Sequence, residues 1–288
     1  MHSRATGQSN LAVVTQQLAK RALAIAIDAA PHRAKQGEAR WSIANTLPAA
    51  RLLIDQVEDD AHVRAQLQDA AGSLVETLAD AMGRVADGFG HARPSYAPFA
   101  IHLLGIAAKQ ANDAATLDTV KQAATLLLNR HPDAAAASDP RLAAWRRLIA
   151  RQHGLQEAED LPLSSDEPKP LVSLGIDDLI DSWTYYELVG LHGLHLVSLH
   201  DKTAAERVRL AAEYHLGHTQ PDYTTYQPWG LAAFAGHPQT AVFAEQQLHD
   251  VATHLSIEGP GGAVMPALLL ADASATMAGR YASAWEKP

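Results

Sequence analysis

The chain has 288 residues, of which 47% are hydrophobic and 19% charged, and its formal net charge is −9. This composition is typical of a folded globular protein with a sizeable core, and the acidic balance argues against a nucleic-acid partner. Because the sequence contains no cysteine, disulfides and thiolate chemistry are excluded, and any metal site must use histidine, aspartate or glutamate.

The first residues do not have the pattern of a secretion signal. They lead directly into a helical pattern that contains Lys20, Arg21 and Asp28, without the apolar core and small-residue cleavage site of a signal peptide. No apolar run reaches membrane-spanning length. We therefore expect a soluble, cytoplasmic protein with no membrane partner.

The apolar residues repeat with helical periodicity along almost the whole chain, and alanine and leucine, both strong helix formers, dominate. The Thr203-Ala204-Ala205-Glu206 pattern predicts a capping box, and Pro98 and Pro228 suit the first turn of a helix. The sequence predicts an all-α fold. The predicted helices are 10–31, 41–55, 59–86, 97–111, 116–130, 140–153, 177–200, 204–217, 228–235, 238–255 and 264–279.

An acidic, proline-rich stretch over residues 154–170 interrupts this pattern and predicts a solvated linker. It joins two halves, 1–153 and 171–288, of what we expect to be one all-α domain. Each half contains a similar element, SYAPFAI at 95–101 and TYQPWGL at 225–231. This similarity predicts an internal duplication of a helical unit.

Consecutive helices differ in character. Residues 183–199 are apolar nearly all round, which indicates a helix buried on all sides. The next helix is amphipathic, with Ala204, Val208, Ala211 and His215 on one face. An inner helix followed by an outer one predicts double-layered helical hairpins, arranged as an α/α-toroid or a short α-solenoid.

These hairpins, the alanine-rich helices and the Gln-Pro-Trp-Gly-Leu opening at 227–231 resemble the α/α-toroid proteins. That group includes terpenoid cyclases, prenyltransferase subunits and six-hairpin carbohydrate-active enzymes. The resemblance implies a ring architecture and carries over no residue roles. Eleven helices would form an irregular ring of six hairpins.

Two His-x-x-His pairs are candidate metal ligands: His192 with His195, and His215 with His218. The spacing places both imidazoles of a pair on one side of a helix, and neutral imidazole binds several divalent metals. If the helices are antiparallel, however, the first pair lies mid-helix and the second at a helix end. Packed histidines bonded to the backbone are therefore the alternative, and we expect no cofactor other than such a divalent metal.

The Asp-Asp-x-x-Asp pattern at 177–181 is the second candidate. Isoprenoid synthases use such a motif to hold Mg²⁺ against a diphosphate, but the companion metal motif is absent from this chain and aromatic residues are only 6%. Aspartates also favour the first turn of a helix, where they meet the positive end of the helix dipole.

The polar segment 218–227 is the strongest candidate for a small-molecule site. Loops that precede inner helices open at the same end of a helical ring, which would bring it close to 88–95 and to the start of the 177–200 helix. Convergent polar groups over an apolar interior are the usual form of such a site, although a turn that caps the next helix is the alternative.

We assign the predicted roles as follows. Asp222 or Glu187 would be the general acid/base, with Tyr223 beside them, and Arg93 or His218 would hold an anionic group of the substrate. His91, Asp181 and Tyr226 complete the predicted binding residues. The prediction is an enzyme, or an enzyme-like pocket, for a small polar or carbohydrate-like molecule. The alternatives are a helical-repeat scaffold that binds a peptide or protein, and a histidine-rich metal protein.

Overall fold

A computed structural model describes residues 2–33, 41–55, 61–80, 85, 93, 96–130, 139–156, 166–219, 226–257 and 260–281. These residues form eleven α-helices, two short 3₁₀ helices over Ile43–Thr46 and Pro260–Ala263, and no strand, which confirms the all-α prediction. The helices are α1 (His2–Arg33), α2 (Leu47–Asp55), α3 (Ala61–Ala79), α4 (Tyr96–Gln110), α5 (Ala114–Arg130), α6 (Pro140–Gln152), α7 (Ile180–Ser198), α8 (Lys202–His218), α9 (Leu231–Ala235), α10 (Ala241–Ile257) and α11 (Val264–Met277).

Six helices contact one another in a closed cycle. Helix α2 packs on α4, α4 on α6, α6 on α7, α7 on α9, α9 on α11, and α11 on α2. Four of them, α4, α7, α9 and α11, are buried along most of their length, as expected for helices that are apolar all round. These four helices therefore form the centre of the hydrophobic core.

The other five helices pack outside this cycle. Helix α1 lies on α11, α3 and α5 lie on α4, α8 lies on α7, and α10 lies on α9. Each of the five exposes one side to solvent and buries the other, as amphipathic surface helices do. The starts of α4, α7 and α9 lie close together, since Arg93 before α4 lies over the Tyr185 ring of α7, and that ring contacts Trp229 just before α9. We call this end of the molecule the rim.

The two similar sequence elements adopt different backbone conformations. Helix α4 begins at Tyr96 and runs through Pro98, whereas Gly230 has a φ of 73° and α9 begins only at Leu231. The predicted start at Pro228 is therefore three residues early, because the left-handed conformation of Gly230 separates Pro228 from the helix.

Helix α8 begins two residues before its predicted start. Asp201, not Thr203, is the N-cap: its Oδ1 accepts the backbone N–H of Thr203 at 3.0 Å and the Thr203 hydroxyl at 2.6 Å. Glu206 pairs with Arg209 instead of completing a capping box. The prediction failed because an aspartate two residues upstream was a competing cap.

Part of the predicted linker is fixed to the helices. Arg207 of α8 donates to the carbonyl oxygens of Lys169 and Pro170, at 3.0 and 2.6 Å. The Trp183 indole N–H donates to the Val172 carbonyl at 2.8 Å. Residues 166–169 are exposed, but Leu171 is buried. The chain is therefore anchored before α7 begins.

Among the described residues, no helix combines the length and the apolar character that crossing a bilayer requires.

Candidate functional site

Three chain segments that are distant in sequence meet at the rim. The guanidinium carbon of Arg93, just before α4, lies 4.2 Å from the centre of the Tyr185 ring in the first turns of α7. The Tyr185 ring in turn contacts Trp229, just before α9, with ring centres 6.2 Å apart. Arg93 itself is exposed, while Tyr185 and Trp229 are buried. A cation over an aromatic face is held in place while its N–H groups stay available.

Two further ring pairs lie at helix ends of the rim. The imidazole of His218, in the last turn of α8, stacks on Tyr214, and its Nδ1–H donates to the Tyr214 carbonyl at 2.8 Å. Tyr226, with a φ of 55°, stacks on His254 near the end of α10. Asp181 is exposed in the first turn of α7.

The remaining predicted rim residues, His91, Asp222 and Tyr223, lie outside the described part of the chain. The described residues on either side of them, Arg93 and Trp229, are linked through Tyr185. Arg93 and Trp229 therefore lie at the same end of the molecule.

The predicted role of Glu187 as a general acid/base does not fit its surroundings. Its side chain is fully buried, and its two carboxylate oxygens accept the backbone N–H groups of Leu171 and Val172, at 2.7 and 2.8 Å. Arg141 and His215 approach the same carboxylate, at 3.7 and 3.6 Å. A carboxylate that is satisfied by two amides and enclosed by cationic or polar groups fixes the backbone and is not exposed to substrate.

The two histidine pairs do not come together. His215 faces Glu187, whereas His192 lies in the middle of α7 with its Nε2 3.0 Å from Asp272 Oδ2. No group of three or more histidine, aspartate or glutamate side chains in the described ranges could hold a metal ion. Burial lowers the pKa of His195 to about 4.

Asp272 is the centre of the main buried polar network, which the sequence analysis did not identify. This carboxylate, in α11, is fully buried, and its Oδ1 accepts a hydrogen bond from His102 Nε2 of α4 at 2.9 Å and another from the Tyr281 hydroxyl. The Nε2 atom of His192 in α7 lies 3.0 Å from Oδ2, but the angle of this contact does not allow a hydrogen bond. The network connects three helices of the closed cycle and the chain that follows α11.

The hydrogen-bond partners assign the protons of the network. The amide nitrogen of Gln152 donates to the carbonyl oxygen of His102, which turns the amide oxygen toward His102 Nδ1 at 3.1 Å. His102 then has an oxygen acceptor at each ring nitrogen, an arrangement that suits two ring N–H donors. His192 Nδ1 accepts the backbone N–H of Gly230, so its proton is on Nε2, toward Asp272.

The surroundings of Asp272 and Tyr281 shift the pKa values of both groups. Burial alone would raise the pKa of Asp272, but the positive charge of His102 and the hydrogen bonds hold that pKa well below its usual range. Burial and the neighbouring carboxylate raise the pKa of Tyr281, so the phenol keeps its proton.

Aromatic rings fill the space between the rim and this network. Trp229 contacts Phe99, Trp145 and His192, with ring centres 5.1, 6.5 and 5.3 Å apart. Phe99 and Trp229 are the equivalent residues of the two similar sequence elements, and they pack edge to face. Asp272 is therefore separated from the rim by a packed aromatic layer, which leaves the rim surface as the place for a ligand.

Two open grooves lie on the outer helices. One, of about 340 Å³, is lined by residues of α1, α2 and α3, including Ile27, Arg51 and Asp69. Another, of about 540 Å³, lies between α1 and α10 and is lined by residues that include Arg21 and Glu245. Neither groove contains a predicted site residue.

A signal for the buried network was present in the sequence. Asp272 is the only charged residue in the apolar helix Val264–Met277, and His102 is a lone polar side chain in the apolar run 96–108. A charge in a helix that is buried all round needs a partner. The sequence does not say which partner, because His102 and Asp272 are 170 residues apart.

Compared with protein-family models, with curated proteins and with solved structures, the chain has no significant match.

Proposed function

We propose that this chain binds a small polar molecule with an anionic group at the rim, and that the 218–227 segment completes the site. The observation that carries this proposal is the stack of exposed Arg93 on Tyr185, which in turn contacts Trp229. An arginine held by an aromatic face presents a rigid, planar set of N–H donors that suits a carboxylate or a phosphate.

His218, exposed in the last turn of α8, is a further residue of the rim that supports the same ligand class. The hydroxyl and amide groups of segment 218–227 suit the uncharged part of a ligand such as a carbohydrate. In this proposal Asp222 and Tyr223 are the acid/base residues, and Glu187 has no part in the chemistry.

Calorimetric titration tests the binding step, with glucose 6-phosphate, galacturonate and glucose as probes. We expect the two anionic sugars to bind, and Arg93→Met to weaken them by about tenfold or more, since a charge-assisted bidentate contact is lost. Arg93→Lys should recover only part of the affinity. Arg151→Met, at an exposed arginine at the end of α6, is the matched control. If no anionic sugar binds, or if Arg93→Met binds as tightly as the parent, the proposal fails.

Asp222→Asn and Tyr223→Phe test the catalytic step. Both variants should abolish turnover or ligand binding while unfolding at the same denaturant concentration as the parent. If both variants behave like the parent, the assignment of these two residues is wrong.

The alternative of a scaffold with a concave binding surface has less support. The contacts of Trp229 with Phe99 and Trp145 fill space between the buried helices, which gives less support to a concave binding face. We therefore favour the outer surface for a protein partner.

A further inference from the structure

We propose that residues 174–180 form a docking surface for a basic, amphipathic segment of a partner protein. We call these residues the acidic–apolar strip. The proposal does not depend on the small-molecule function, because the strip excludes Arg93 and the 218–227 segment.

The strip exposes apolar side chains that a folded protein normally buries. The exposed fraction of Ile176 is complete, that of Leu179 is 75%, and Leu174 and Ile180 are exposed by 45% and 44%. Single exposed apolar residues are common on protein surfaces, but four within seven residues are a local concentration of exposed apolar area. Such patches mark places where another molecule binds.

The exposure is not a consequence of a loose backbone, since the strip is fixed on both sides. Before it, the Glu187 carboxylate holds the amides of Leu171 and Val172, and Arg207 holds the carbonyls of Lys169 and Pro170. At its other end, the last residue of the strip, Ile180, is the first residue of α7. Two buried charged side chains thus determine the position of a segment whose own side chains point to solvent.

The strip is also ordered internally. Asp178 Oδ2 accepts the backbone N–H of Gly175 at 2.7 Å, and the amide of Asp178 donates back to the Gly175 carbonyl at 3.2 Å. A Cβ on Gly175 would lie 2.9 Å from the same carboxylate oxygen, so a larger residue there would displace the Asp178 side chain. The turn sets the conformation that presents Ile176 at its tip.

The charges around the strip determine the partner. Exposed Asp177, Asp178 and Asp181 alternate with the apolar side chains. Residues 166–181 contain five acidic residues and one basic residue, Lys169. The acidic residues are Asp166, Glu167, Asp177, Asp178 and Asp181. A segment that combines leucine-type side chains with lysine or arginine matches both features. A second copy of this chain, with its net charge of −9, or an anionic lipid surface would bring like charge against the strip.

The test uses the full chain and a synthetic helical peptide of leucine and lysine, with binding measured by fluorescence anisotropy. We expect Ile176→Ser/Leu179→Ser to weaken binding by about tenfold or more because the apolar contact is lost. Asp177→Asn should weaken binding at low salt and make it less dependent on ionic strength. The matched control is Val242→Ser/Ile257→Ser, which removes two exposed apolar side chains of α10.

Hydrogen exchange then locates the peptide, with added protection expected over residues 171–180. The proposal is overturned if the peptide binds the Ile176→Ser/Leu179→Ser variant as tightly as the parent, or if protection appears elsewhere. It is also overturned if these substitutions dissociate an oligomer or abolish binding to zwitterionic lipid vesicles, since the strip would then be a self-association or membrane surface. None of these results depends on whether Arg93 binds an anion.

Discussion

His102 Nε2 and Asp272 Oδ1 lie 2.9 Å apart in the centre of the molecule, and both side chains are fully buried. They connect α4 to α11, and Tyr281 and His192 complete the surroundings of the carboxylate. Removing one partner of such a buried pair destabilises the folded protein by far more than the intact pair stabilises it.

Asp272→Asn should therefore destabilise the protein by about 3–5 kcal/mol. The NH₂ group of the asparagine would face the donors that now bind the carboxylate, and His102 would lose its charged partner. The free energy of unfolding from denaturant titration measures the change. Asp118→Asn, at an exposed position of α5, is the control and should stay within about 0.5 kcal/mol of the parent. A loss for Asp272→Asn as small as that of the control would show that the pair does not hold the core together.

The protonation states of His102 and His192 can be observed by NMR of ¹⁵N-labelled histidines at neutral pH. We expect His102 to show two protonated ring nitrogens, because both face oxygen acceptors. His192 should be neutral, with its proton on Nε2. Gln152→Leu removes the acceptor at His102 Nδ1 and should favour the neutral form. A neutral His102 in the parent protein would contradict the assignment.

The lowered pKa of buried His153 predicts that the protein loses stability in mild acid. Its ordinary pKa is 6.5, and burial, followed by the charge of Lys109, lowers its pKa to about 3 in the folded chain. The unfolded chain therefore takes up the proton first. The free energy of unfolding is undiminished above pH 6.5 and falls as pH drops toward 3, by at most about 1.4 kcal/mol per pH unit.

His153→Phe should remove this contribution and flatten the dependence of stability on pH in that window. Denaturant titrations across the window measure the slope. His249→Phe, at an exposed histidine of α10, should keep the parent's slope. An unchanged slope in His153→Phe would mean that other groups determine the acid response.

The hydrogen bonds of Glu187 to the backbone before α7 predict that its removal loosens that segment. Glu187→Ala should leave the amides of Leu171 and Val172 without their acceptor and destabilise the protein by about 3 kcal/mol or more, since Arg141 and Arg207 would lose a buried counterion. Hydrogen exchange at these two amides should accelerate, and Glu187→Gln should restore only part of the protection. Glu76→Ala, at an exposed position of α3, is the control. If the two amides stay protected in Glu187→Ala, another group holds the segment.

Much of the helical architecture could be predicted from the sequence. The pattern predicted 140–153, 204–217 and 264–279, and the structure has Pro140–Gln152, Lys202–His218 and Val264–Met277. Periodicity succeeds in these segments because each helix is determined by residues within it. The expectation that inner helices begin at one end rests only on the alternation of buried and amphipathic segments, and it stays a prediction.

The site was harder to predict because its contacts are not local. Glu187 looks like an exposed acid/base candidate in the sequence, but its partners are amides 15 and 16 residues away. The His192 spacing suggested a metal ligand, while its actual neighbour Asp272 lies in the last helix. Spacing within one helix shows which side chains share a face, but it does not show what the neighbouring helices place opposite that face.

The most direct test of ligand binding at the rim is an NMR titration of the ¹⁵N-labelled chain with glucose 6-phosphate. We expect the Arg93 side-chain N–H and the Trp229 indole N–H to shift together with one saturating affinity, because both belong to the same stack. The side-chain N–H of Arg151 should not move. Shifts confined to Arg21 or Arg51 in the outer grooves, or no saturable shift at Arg93, would contradict the account.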